Sequence, residues 1–304
     1  MKLVRYSEGV DAAVRTGWLT AEGVRPLAAG VTMPEALGSV GSGILDGATA
    51  PAPIPLERLH LHSPVDVPPS LRDFMSFEDH VVTSMSALGR QVDPIWYQQP
   101  VFYFSNPAAV IGPSADVPVA PGSSEFDFEL EIGAVIGTPG SDIPASEAER
   151  HIAGYAILCD WSARDLQERE MRVGLGPAKG KDTATTIGPW LITPDELEPL
   201  RTPRGFDIDF TVHVNGRLYS RGNWSTIHWT FPQMVAYASR GTTLRSGDVI
   251  GSGTIGTGCI LELGRVHGFE RYPYLCPGDV VRIDGGPLGT ISQTIVAGPE
   301  PATL

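Results

Sequence analysis

The chain has 304 residues, 42% of them hydrophobic, which is enough to bury a full-sized core. Its 35 acidic residues outweigh 22 basic ones, and the formal charge of −13 repels a phosphate backbone and excludes nucleic acid as a main partner. The opening MKLVRYSEGVDAAV lacks the apolar run of a secretory leader, and no stretch reaches the roughly 18 apolar residues of a membrane helix. Cys159, Cys259 and Cys276 are widely spaced among apolar neighbours, so buried thiols and a cytoplasmic location without membrane contact are expected.

In chain order, residues 1–64 are expected to form a small N-terminal domain. It closes at the proline-bearing segment HSPVDVPPS, and 65–304 form the main domain. Glycine and proline punctuate short apolar runs at 135–136, 157–158 and 280–283, which read as short strands. Helical patterning is confined chiefly to 78–88, 162–171 and 231–239, so the expected fold is a mixed, β-rich α+β one with a few helices at its edges.

The most informative stretch is 125–137, EFDFELEIGAVIG. Phe126, Phe128, Leu130 and Ile132 alternate with Asp127, Glu129 and Glu131, placing three carboxylates on one strand face. Such charges repel, and a hard divalent ion with oxygen ligands, Mg²⁺, Mn²⁺ or Ca²⁺, would resolve the conflict. A solvated strand face is the competing reading. At 155–167, YAILCDWSARDLQ, an apolar strand ends in Asp160. Ser162 with Asp165 forms a capping-box pattern that opens a helix, on which Arg164 and Gln167 face one direction and can hold a substrate carboxylate or carbonyl.

These residues, together with LGPAKGKDTATTIGPW at 175–190 and SGTIGTGCILEL at 252–263, resemble the fumarylacetoacetate hydrolase family, with the blocks in the family's order over about residues 70–290. The resemblance implies a rolled, barrel-like β-sheet core and a homodimer acting on a small oxo acid. It implies Glu129, Glu131 and Asp160 as ligands of Mg²⁺ or Mn²⁺, with Ca²⁺ as a further option, and Lys181 beside metal and substrate. Arg164, Gln167 and Thr254 are implied to bind substrate. In RDFMSFEDH, Asp73 resembles the aspartate that completes the metal site and His80 the general base, while Glu262 resembles the glutamate that orients that base. Where many members carry a lysine after an aromatic pair, this chain reads FYFSNP, with Ser105 and Asn106.

The expected activity is metal-dependent hydrolysis of a C–C bond in a 1,3-diketo acid such as an acylpyruvate or a fumarylacetoacetate-like compound. Oxaloacetate decarboxylation and oxo-acid isomerisation or tautomerisation are the alternatives within the family. A non-catalytic metal- or ligand-binding β protein is the alternative outside enzymes.

Overall fold

A computed structural model describes residues 1–28, 30–38, 52–87 and 89–303. In chain order the principal strands are β1 (Lys2–Ser7), β2 (Arg15–Thr20), β3 (Gly23–Pro26), β4 (His60–His62), β5 (Leu71–Phe74), β6 (Phe102–Ser105), β7 (Leu130–Ile136), β8 (Ile152–Asp160) and β9 (Thr185–Ile192). They continue with β10 (Asp209–Val214), β11 (Arg217–Asn223), β12 (Val249–Gly251), β13 (Val280–Asp284) and β14 (Thr290–Val296). The principal helices are α1 (Met33–Gly38), α2 (Glu78–Ala87), α3 (Arg164–Met171), α4 (Phe231–Ala238) and α5 (Ile260–His267).

The larger sheet runs β3-β2-β1-β9-β8-β7-β12-β5-β6, with β4 beside β1. The order ends at β3 and β6, so among the described residues the mixed, β-rich fold does not close into a barrel. A second sheet, β11-β10-β13-β14, carries the C-terminal strands. The segment expected as an N-terminal unit adds β1 to the edge of β9, with Lys2 opposite Ile192, and so shares the larger sheet.

The runs read as strands lie in β7, β8 and β13. β7 and β8 are buried along their whole length, which is why they read as near-continuous apolar runs. Phe126, Phe128, Leu130 and Ile132 are all fully buried in the main core, each contributing roughly 1.5–3 kcal/mol. Phe126 also stacks on Trp161, with ring centroids 5.9 Å apart.

Helices stand at 78–87, 164–171 and 231–238, close to the expected places, and Leu88 lies outside the described residues. The amphipathic helix α5 was not anticipated. The capping box at Ser162 and Asp165 is absent, because Ser162 belongs to a short strand with Ala163 and its hydroxyl donates to the Asp160 carbonyl at 3.1 Å. Helix α3 begins at Arg164 after an N-cap without side-chain bond. Asp165 instead accepts from the Ser123 hydroxyl at 2.7 Å and the Ser124 amide at 2.9 Å, tying the preceding loop to the helix.

Candidate active site

Register brings the acidic residues together. β7 runs antiparallel to β8 with Glu131 opposite Leu158, so the start of β7 and the end of β8 meet where Glu129, Glu131 and Asp160 project. On the other side β7 pairs with β12, and β12 with β5 in parallel, with Gly251 opposite Asp73. One carboxylate oxygen from each of Asp73, Glu129, Glu131 and Asp160 lies within 4.8 Å of the others, and all four residues are buried. The turn after β12 closes the cluster. Its Gly253 amide points at Asp73 Oδ1 and Glu131 Oε2, both at 3.2 Å, and the Thr254 hydroxyl donates to Glu131 Oε1 at 3.5 Å. Gly253 has φ +75° and a Cβ there would meet the Phe74 carbonyl at 2.2 Å, so only glycine permits this turn.

Two cations reach the cluster. Lys181, buried, donates to Glu129 and, at 2.7 Å, to Asp160. The glycine before it packs its segment on α3, since a Cβ on Gly180 would sit 2.7 Å from the Gln167 amide nitrogen. Arg164 is also buried; its guanidinium bonds Asp127 at 2.8 Å, Glu129 at 2.7 Å and the Gln167 side-chain oxygen at 3.1 Å. The structure thus joins Arg164 to Gln167 but also engages Arg164 with two carboxylates. Asp127 does not share the cluster as the alternation suggested. The strand breaks after it, and its carboxylate accepts from the Ile260 and Leu261 amides at 2.7 and 3.0 Å, capping α5.

Five buried carboxylates therefore face two side-chain cations, leaving an excess of negative charge when all are ionised. Burial, reinforced by Asp160, pushes the Asp73 carboxyl up to about 7. Burial, with Asp73 and Glu129 alongside, pushes Glu131 well above the carboxylate range. Asp160 is raised by burial although Lys181 pulls it down. For Glu129 burial acts in the same sense, but Lys181 and Arg164 outweigh it and hold the carboxyl below its usual range. Asp160 Oδ1 is buried without a hydrogen-bond partner among the described residues. An orphaned oxygen, an all-carboxylate donor set and surplus negative charge together fit a hard divalent cation.

Helices α2 and α5 pack together beside this cluster and hold His80 and Glu262 face to face. His80 Nδ1 bonds Glu262 Oε1, and the other Glu262 oxygen accepts from the Thr257 amide. Both residues are buried. All ten residues expected at the site are thus placed on this framework. Ser105 is buried, its hydroxyl without a partner among the described residues, and Asn106 donates to the Asp182 carbonyl at 3.1 Å.

Two contributors were missed. Tyr103, directly opposite Asp73 on the neighbouring strand, donates its hydroxyl to Asp160 Oδ2 at 2.7 Å. Burial, with Asp160 nearby, pushes its phenol well above the ordinary value, so it stays a donor. Alternation with Phe102 and Phe104 in FYFSNP is the one signal for it, since it puts Tyr103 on the other strand face, but only the β5–β6 register shows what it meets. Asp127 is the second, an anchor for Arg164 and α5 rather than a ligand.

The sheet order, the carboxylate cluster and the paired histidine and glutamate define the class to which the chain belongs. The family model described as Fumarylacetoacetate (FAA) hydrolase C-terminal matches residues 71–296, and the chain is a member of that family. Fumarylacetoacetase of Oryza sativa subsp. japonica is 32% identical over 220 residues, 57% of this chain and 51% of the plant protein, so the match spans about half the relative's length. A Mycobacterium abscessus structure named for 2-hydroxyhepta-2,4-diene-1,7-dioate isomerase superposes with TM-score 0.75 at 26% identity, covering 99% of this chain and all of the other. Maleylpyruvate hydrolase of Sphingobium sp. SYK-6, solved with manganese(II) ion and pyruvate, shares the fold with TM-score 0.71 at 23% identity over 98% of this chain and all of that one. No helix among the described residues is long and apolar enough to cross a membrane.

Proposed function

We propose that the chain is a divalent-metal-dependent hydrolase that cleaves a C–C bond of a small 1,3-diketo acid of the acylpyruvate or fumarylacetoacetate type. The observation that carries this reading is the buried His80–Glu262 pair standing beside the four-carboxylate cluster and Lys181. Decarboxylation needs no base to activate water, whereas hydrolysis does.

Asp73, Glu129, Glu131 and Asp160 would hold the ion, with Mg²⁺ or Mn²⁺ favoured by the oxygen donors and Mn²⁺ also by the Sphingobium relative. A bound divalent ion supplies Lewis-acid polarisation of the substrate carbonyls there. Glu262 fixes the tautomer of His80 through Nδ1, leaving the other ring nitrogen to take a proton from water. The hydroxide adds to the acyl carbonyl. The adjacent C–C bond then breaks with its electron pair leaving on the oxo-acid fragment, and the His80 imidazolium returns the proton to that carbon. Lys181, kept charged by Asp160 and Glu129 despite burial, faces the developing negative charge. Gln167 and Thr254 are assigned to the substrate's polar groups, and Arg164 orients Glu129 while reaching Gln167. Products are a carboxylic acid and pyruvate or a related oxo acid.

The isomerase name of the Mycobacterium abscessus relative favours one second reading, oxo-acid isomerisation in the same site. The deciding experiment reloads metal-stripped protein with Mg²⁺ or Mn²⁺ and supplies acetylpyruvate, fumarylpyruvate and oxaloacetate, with products identified. Metal-dependent release of pyruvate with a carboxylic acid is expected. Turnover of oxaloacetate alone, or conversion without C–C cleavage, removes the hydrolase. Assembly as a homodimer and a cytoplasmic location belong to the same proposal, and a single-chain mass in sedimentation would remove the former.

A further inference from the structure

Cys259 is fully buried and plays no part in the mechanism above, and no hydrogen bond to its thiol occurs among the described residues. It stands at the N-terminus of α5, three residues before Glu262 and so near it on the helix, and its backbone bridges to Glu129. One donor atom each from His80, Cys259 and Glu262 lies within 4.8 Å of the others, and all three residues are buried. This is a different donor set from the neighbouring one. Imidazole nitrogen, sulfur and a single carboxylate oxygen suit a borderline-soft ion that accepts four ligands, whereas four carboxylates suit a hard one.

We infer that His80, Cys259 and Glu262 form a second metal site, selective for Zn²⁺-class ions, whose occupation switches the enzyme off. The ion takes the Cys259 sulfur, releasing its proton to solvent, and inserts between the His80 ring nitrogen and the Glu262 carboxylate, which now bond each other. The ring proton that Nδ1 shared with Glu262 moves to Nε2, so His80 stays neutral, but neither ring nitrogen then has a free lone pair and it no longer accepts a proton from water. Three protein ligands leave a fourth position open to water or substrate, as in a site that binds reversibly. The inhibitory consequence rests on the hydrolase reading, in which His80 is the base. The site itself does not.

The test separates the two. Mn²⁺-loaded protein is titrated with Co²⁺ as a spectroscopic probe and, separately, with Zn²⁺ during turnover, for the parent chain and for Cys259→Ser, with Cys259→Ala as a second variant should serine disturb the packing. The parent is expected to show thiolate-to-cobalt charge-transfer absorption that both variants lack. Zn²⁺ should suppress its turnover at concentrations about tenfold or more below those needed for the variants, whose activity without Zn²⁺ is unchanged. A cobalt spectrum without the thiolate band, a band retained in the variants, or equal Zn²⁺ sensitivity in all three chains overturns the site. Absence of turnover with every diketo acid counts against the hydrolase reading, while the cobalt band still decides the metal site.

Discussion

The two halves of the site are built on different kinds of support. Asp73, Glu131 and Asp160 belong to strands laddered side by side in one sheet, and Glu129 directly precedes its strand, so their spacing follows from backbone hydrogen bonds. His80 and Glu262 sit on two helices packed against each other, and their side chains bond across that contact. A ladder fixes oxygens to a few tenths of an ångström, as an ion requires, whereas helix-on-helix packing can shift as a unit and suits a base that must approach and leave its substrate. The acidic half is held by backbone ladders, and the basic half by the packing of two helices.

Breaking the acidic half has the largest expected effect. Glu131→Ala should abolish both bound metal and turnover, measured by metal content after dialysis and by product release; full activity with metal still bound removes Glu131 as a ligand. On the helical half, His80→Ala should lower kcat by about 10²–10⁴-fold while metal content stays at the parental level. Unchanged turnover would move the reading to decarboxylation. Glu262→Gln keeps the shape but loses the charge that steadies the imidazolium, and a fall of about 10- to 100-fold in kcat with little change in KM is expected.

A stability measurement sharpens the comparison without any substrate. In metal-stripped protein the Asp73 carboxyl is pushed up to about 7 by burial and by Asp160. The folded state therefore binds more protons than the unfolded chain between the ordinary carboxylate value of about 4 and about 7. This contribution is fully present below about pH 4 and is lost as pH rises through 7, so thermal melting of the stripped protein should fall between pH 5 and 8. Saturating Mn²⁺ should raise the melting temperature more at pH 8 than at pH 5.5. A metal-induced shift independent of pH would exclude the protonated cluster. The smallest change expected is Tyr103→Phe, which removes one donor to Asp160 at a cost of roughly 1–3 kcal/mol of stability, read from denaturant midpoints.

Much of this was readable in one dimension. The alternation in EFDFELEIGAVIG marks a buried apolar face and an acidic one, because strand side chains alternate with period two. Asp160 at the end of an apolar run reads as a strand end, and the helices near 78, 164 and 231 follow from their patterning. The same alternation put Asp127 on one face with Glu129 and Glu131, and the Ser162–Asp165 spacing suggested a cap. Both failed because local spacing does not reveal where a chain breaks its strand or which distant amide a carboxylate meets.

The sequence by itself determined the class of chemistry: a negative chain with acids on a buried strand, a lysine among glycines, and a histidine and glutamate far apart along the chain, all in the order of a known family. Only the tertiary structure decided which acids share one cluster, that Arg164 is held by two carboxylates, that Tyr103 faces Asp160, and that a cysteine stands with His80 and Glu262. Those facts depend on sheet register and helix packing between residues as much as 182 positions apart. Contacts of that separation are set by the whole core's packing and leave no mark in any local pattern.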